Sequence, residues 1–119
     1  MERSPFAMWG WLLQRVTGVL LVIGMFVHYL YLHFISKGHI TFEIVTARLN
    51  SHWWVFFDIC LLAIIIYHAV YGLLGILTDC NLKPATQKTL NYLFGIAGIL
   101  LFFYGFIALL TFHYKVPVI

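Results

Sequence analysis

His68 sits in the run Tyr67-His68-Ala69-Val70-Tyr71-Gly72-Leu73-Leu74-Gly75-Ile76-Leu77-Thr78-Asp79, inside a block that carries no charge from Ile59 to Thr78. On a helix, Gly72, Gly75 and Asp79 fall within about 40° of the histidine. One face therefore presents an imidazole, two gaps and a carboxylate. A neutral imidazole is a good iron ligand, and small residues beside it would let a flat macrocycle such as haem approach the backbone closely. The same pattern also fits a helix-packing seam in which His68 hydrogen-bonds a neighbouring helix. His28, in Gly24-Met25-Phe26-Val27-His28, repeats the arrangement with Gly24 one turn earlier, and His33 lies nearer the end of that block. Arg15, in Trp11-Leu12-Leu13-Gln14-Arg15-Val16-Thr17-Gly18, has two readings. Its guanidinium either snorkels to lipid headgroups or meets a haem propionate or a quinone oxygen. Asp79 is expected on the same side, where the two charges would line one pocket mouth.

These residues need elements that hold them in a membrane. Of 119 residues, 63% are hydrophobic and 9% charged, far from the roughly 25% charged of a soluble domain. Charge is absent from Val16 to Ser36, Ile59 to Thr78 and Thr89 to Tyr114, each block at least as long as the ~20 residues that cross a bilayer. The expected fold is an all-α membrane protein, a single domain over residues 1–119 with transmembrane helices at about 9–35, 54–78 and 90–112. The first block is too long for a signal-peptide core and lacks a small-residue cleavage site, so it is expected to be retained. Between the first two helices, Lys37 to Ser51 mixes Ile40, Phe42, Ile44, Val45 and Leu49 with Thr41, Glu43 and Arg48, the composition of a short amphipathic helix on the membrane surface. Trp9, Trp11, Trp53 and Trp54 open the first two helices as depth anchors. Arg3, Arg15, Lys83 and Lys88 fall on one side and Lys37, Arg48 and Lys115 on the other, which favours a cytoplasmic N-terminus.

The same inventory excludes much. Cys60 and Cys80 match neither a disulfide framework nor a metal-ligand spacing. The net charge of +3 is scattered rather than clustered, so nucleic-acid binding is not expected. No Ser/His/Asp set, phosphate-binding glycine loop or carboxylate pair is visible, and the chain is not expected to perform bond chemistry alone. His39, His52 and His113 lie in polar segments and are expected to be exposed. The third helix has Gly95, Gly98 and Gly105 but no ionisable group at mid-membrane, so its expected role is packing.

Three stretches resemble a known family, the short membrane anchors of succinate dehydrogenase and fumarate reductase in respiratory complex II. They are Trp11 to Leu21, then His28 with His33, then Asp58 through Asp79 with its leucines, histidine, Gly-Leu pair and terminal aspartate; together they cover about the first 80 residues. The resemblance implies a three-helix anchor that bundles with a second, cytochrome b type anchor and holds iron–sulfur and flavoprotein subunits on its N-terminal side. The setting would be a bacterial or archaeal plasma membrane. It gives His68 the role of axial ligand to haem b. His28, with His33 as rival, would ligate a second haem farther from the iron–sulfur subunit, as in the two-haem anchors. Arg15 and Trp11 would lie near a quinone pocket or haem propionate, with Asp79 matching the family's aspartate after the second helix. Cys80 departs from the pattern, because many members place a quinone-binding tyrosine there. Gln14, where the companion anchor commonly has histidine, favours the hydrophobic-anchor type. The expected function is electron transfer from the iron–sulfur subunit to a membrane quinone, with one haem or two shared with the partner anchor. If Arg15 and Asp79 mark one surface, His28 and His68 differ in depth by only about 4 Å, and one haem gripped by both is the rival arrangement. A haem-free structural anchor and, behind it, a small transporter are the alternatives in function.

Overall fold

The computed structural model describes residues 5–115, side chains from residue 7 onward; Arg3, counted above with the N-terminal basic residues, lies outside that range. Four helices follow one another: α1 (Pro5–Ser36), α2 (Phe42–Leu49), α3 (His52–Asp79) and α4 (Pro84–Lys115). Three of them, α1, α3 and α4, are long and apolar enough to cross a membrane. The chain is thus a multi-pass membrane protein of all-α fold. The long helices overrun the charge-free blocks because their polar flanks also favour helix. Pro84, for instance, takes the first position of α4, where a missing N–H costs nothing. At 32 residues, α1 and α4 measure roughly 48 Å.

The ends of the spans are set by local chemistry. After Ser36 the chain reverses through Lys37 and Gly38, at φ 49° and 86°, the left-handed region that glycine enters freely and lysine at some cost. Asn81, at φ 54°, turns the chain out of α3 in the same way. Thr41 caps α2 by accepting the Ile44 N–H at 3.3 Å, satisfying one of the orphan donors of its first turn.

Contacts fix the register. Gln14 and Thr17 of α1 bond His68 of α3, Gly24 meets Leu61, His28 approaches Asp58, and Tyr31 packs on Trp54 with ring centroids 4.1 Å apart. As the α1 numbers rise the α3 numbers fall, so the two helices are antiparallel. On the other side of α3, Gly98 meets Ile66 and Val70, Gly105 meets Leu62, and His113 reaches His52. The spanning helices stand in a row, α1 on α3 and α3 on α4, while α2 bridges α3 and α4 at one end. Little is enclosed: Leu49, Val55 and Leu61 are the buried apolar residues among those described. Most of the apolar surface faces outward, as a chain surrounded by lipid and other helices requires.

Candidate functional site

His68 comes to α1 rather than standing free. Its Nδ1 lies 3.1 Å from Thr17 Oγ1, and its backbone carbonyl accepts the Gln14 side-chain amide at 3.2 Å. Gly18 makes the approach feasible, since a Cβ there would lie 3.2 Å from His68 Cε1. Nε2 has no hydrogen-bond partner among the described residues, and it is not sealed from the surroundings. A lone pair facing outward is the form in which imidazole ligates a metal. The glycines around it divide. A Cβ on Gly72 would lie 2.8 Å from Gln14 Nε2, so that gap is filled by α1, whereas Gly75 has open space beside it.

His28 has a different setting. Arg48, 4% exposed, reaches from α2 to form a two-pronged ion pair with Asp58 of α3, Nη1 on Oδ2 and Nη2 on Oδ1, the latter at 2.7 Å. The guanidinium is roofed by Trp54, 4.7 Å from its ring centroid, and by Tyr31 at 5.3 Å. His28 Nδ1 lies 3.3 Å from Arg48 Nη2 and 3.6 Å from the Asp58 carboxylate. Arginine only donates, so in this geometry Nδ1 accepts and the ring proton sits on Nε2. His33 is exposed and stacks on Tyr29, ring centroids 5.6 Å apart.

The depths of the two histidines differ from the expected offset. His28 is level with Asp58, ten residues along α3 from His68, which separates them by roughly 15 Å rather than 4 Å. The smaller value assumed that Arg15 and Asp79 share a surface. They do not, because α1 begins well before Arg15 and places it beside Gln14, at the depth of His68. One iron cannot take both imidazoles of this chain, since each would have to stand about 2 Å from it.

Arg15 is exposed and lies over Trp11, its Cζ 4.1 Å from the ring centroid. No ion pair joins it to Asp79 among the described residues, and Asp79 lies exposed roughly 16 Å beyond the level of His68. The shared pocket mouth is therefore not formed within this chain. Cys80 donates to the Ile76 carbonyl at 3.5 Å, turned back on its own helix. A groove of about 520 Å³ runs between α3 and α4, lined by Tyr67, Tyr71, Val70, Gly95 and Phe102 among others, and by none of the charged or imidazole groups just described.

Sequence reasoning overlooked Thr17, Gly18 and Gln14 as neighbours of His68, and Arg48 as the partner of Asp58. The first three stood in the Gln14-Arg15-Val16-Thr17-Gly18 run, where a hydroxyl next to a glycine was the available signal. His113, expected to be exposed, is buried at 9%, because α2 folds back beneath the end of α4.

Residues 1–109 match the family described as succinate dehydrogenase/fumarate reductase transmembrane subunit. The chain is 32% identical over 107 residues to the succinate dehydrogenase hydrophobic membrane anchor subunit of Thermoplasma acidophilum, covering 87% of this chain and 86% of that one. It is 28% identical over 96 residues to the subunit of the same name from Archaeoglobus fulgidus, covering 81% and 82%.

Proposed function

This chain belongs to the succinate dehydrogenase/fumarate reductase transmembrane subunit family, and from that premise we propose that it anchors the iron–sulfur and flavoprotein subunits to the membrane and passes their electrons to a quinone by way of a haem b held by His68. The single observation that carries the haem is the unpartnered Nε2 of His68. A purely structural histidine would leave that nitrogen unsatisfied in hydrocarbon, a cost that burial normally avoids. A haem-free anchor explains the bond to Thr17 but not the idle second nitrogen. A transporter is not supported, because α4 lends no charged or imidazole side chain to a path between Thr89 and Phe112.

The residues fit the group. His68 offers one imidazole, and the open space at Gly75 leaves room for a macrocycle edge. Haem so ligated takes up and releases single electrons. A second imidazole must come from another chain, the cytochrome b type partner anchor, since His28 is far out of reach. Arg15, held against Trp11 at the depth of His68, is the cation available to a propionate or a quinone oxygen. The N-terminus and the turn after α3 face the cytoplasm, on the side of the soluble subunits.

The separation in depth also favours a second reading, a separate haem at His28. It requires Nδ1 to turn its proton towards Asp58 and release Arg48, leaving Nε2 bare.

His68→Ala in the assembled complex should abolish or loosen a reduced b-type spectrum while the helices still insert. An unchanged spectrum would refute the haem assignment. Haem counted per complex tests His28: two haems, one lost in His28→Ala, are expected if it ligates, and one haem removes it.

A further inference from the structure

The hydrogen bond between His68 and Thr17 joins α3 to α1, and its direction follows from what else the hydroxyl does. Thr17 Oγ1 lies 2.7 Å from the Leu13 carbonyl and 3.1 Å from that of Gln14. A carbonyl only accepts, so the single hydroxyl proton is committed to the helix's own backbone. What Thr17 turns towards His68, 3.1 Å away, is a lone pair. Nδ1 must therefore bring the proton, and Nε2 is left as the bare nitrogen.

We propose that Thr17 is the positioning residue of the His68 iron site, fixing the tautomer, the plane and the donor strength of the imidazole, so that α1 tunes a cofactor that α3 ligates. The proposal rests on the haem reading of His68 and adds a separate claim about how that ligand is set. Ligating histidines normally give their second N–H to an acceptor, which fixes the ring and raises its basicity. Thr17 is 8% exposed, so no water competes freely for that proton. Gly18, one residue on, supplies the space through which the ring passes: a Cβ would come within 3.2 Å of Cε1 and 3.9 Å of Nδ1. Hydroxyl and gap stand on consecutive residues of one helix. His28 is the internal contrast, because its Nδ1 faces an arginine donor and its proton rests on Nε2. In this geometry the outward nitrogen of one histidine is bare and that of the other carries the proton.

A more basic imidazole stabilises ferric over ferrous iron, so loss of the Thr17 acceptor should move the haem to a higher potential. The test uses the intact complex with Thr17→Val, which keeps the shape, Thr17→Ala, which adds no bulk, and Thr17→Ser, which keeps the hydroxyl. Haem per complex and the midpoint potential from a redox-titrated spectrum are measured for each. In Val and Ala, haem retention should fall by about 10- to 100-fold in affinity and the potential should rise, while Ser should stay with the wild type. Val or Ala variants with unchanged potential and haem content would overturn the proposal, as would a Ser variant shifted as far as Ala. If Val does not assemble, Ala and Ser still decide. The two claims fail separately: His68→Ala with an intact spectrum removes the haem reading. His68→Ala without the spectrum, together with an unshifted Thr17→Ala, removes Thr17 alone.

Discussion

His113 shows how one carbonyl can set the protons of two side chains. Its Nδ1 lies 2.7 Å from the Leu49 carbonyl, which can only accept, so Nδ1 carries the proton and Nε2 is the acceptor. His52 Nδ1, 3.0 Å from that Nε2, must then donate. Three elements are joined by two bonds: the end of α2, the start of α3 and the end of α4. His113→Ala leaves a buried carbonyl and an imidazole N–H unpaired, and should cost on the order of 1–3 kcal/mol. His52→Ala removes only the exposed member and should cost less. Thermal denaturation of the complex in detergent reads both, and a costlier His52→Ala would contradict the order. Position in the sequence hid this role, because Thr111 to Lys115 looks like the polar end of a span. Nothing in that string signals that α2 packs under it. His68 was legible, since an imidazole in the middle of a charge-free block is conspicuous. Its partner Thr17 was not, because a threonine in a helix most often bonds only its own preceding turn, and here it does that as well.

At the level of elements, α2 is fastened by the buried pair of Arg48 and Asp58 rather than by its apolar face alone. Both groups have left water, Arg48 at 4% and Asp58 at 10% exposure, so each depends on the other to offset its desolvation. Arg48→Met or Asp58→Leu alone should destabilise the anchor by about 3–5 kcal/mol, because one charge is stranded, whereas the double substitution should recover most of that loss. Losses that simply add in the double variant, followed by unfolding in denaturant, would show that the two residues do not act as a pair. The helix itself was expected from its mixed composition, and Asp58 from the motif it opens. Their connection was not, because Arg48 reads as one more loop cation until the tight turn at Asn50 and Ser51 brings α2 against α3. The seam between α3 and α4 is more transparent in the sequence, being built on the expected glycines. A Cβ on Gly98 would stand 3.2 Å from both Ile66 and Val70, while Gly95 has nothing within reach. Gly98→Leu should therefore lower the yield of assembled complex and Gly95→Ala should not. Similar yields from the two variants would mean that Gly98 is not a packing constraint.

The whole molecule measures 59 × 25 × 24 Å, a row of spans long enough to present both ends to water. Hydropathy alone was sufficient for the number of spans, since only three blocks are long enough. Their order in the row was out of its reach, being set by which small residues meet which side chains. Antiparallel packing at both seams puts the turn at Asn81 at one end, and puts α2, the reversal at Gly38 and the end of α4 at the other. The proposed cytoplasmic end is the one with Lys83 and Lys88, and labelling can test it. The chain carries its own reporter there, because Cys80 is exposed at the end of α3. His39, exposed in the opposite loop, is a site for a second. Cys60 lies within the span of α3, where a thiol has little access to the water it needs to ionise. In a Cys60→Ala background, a thiol reagent that cannot cross membranes should label His39→Cys in intact cells and reach Cys80 only after the membrane is opened. The reverse pattern would place the N-terminus outside. It would then also put His68 nearer the outer surface, away from the side proposed for the iron–sulfur subunit, so the labelling bears on the proposed electron path as well as on the topology.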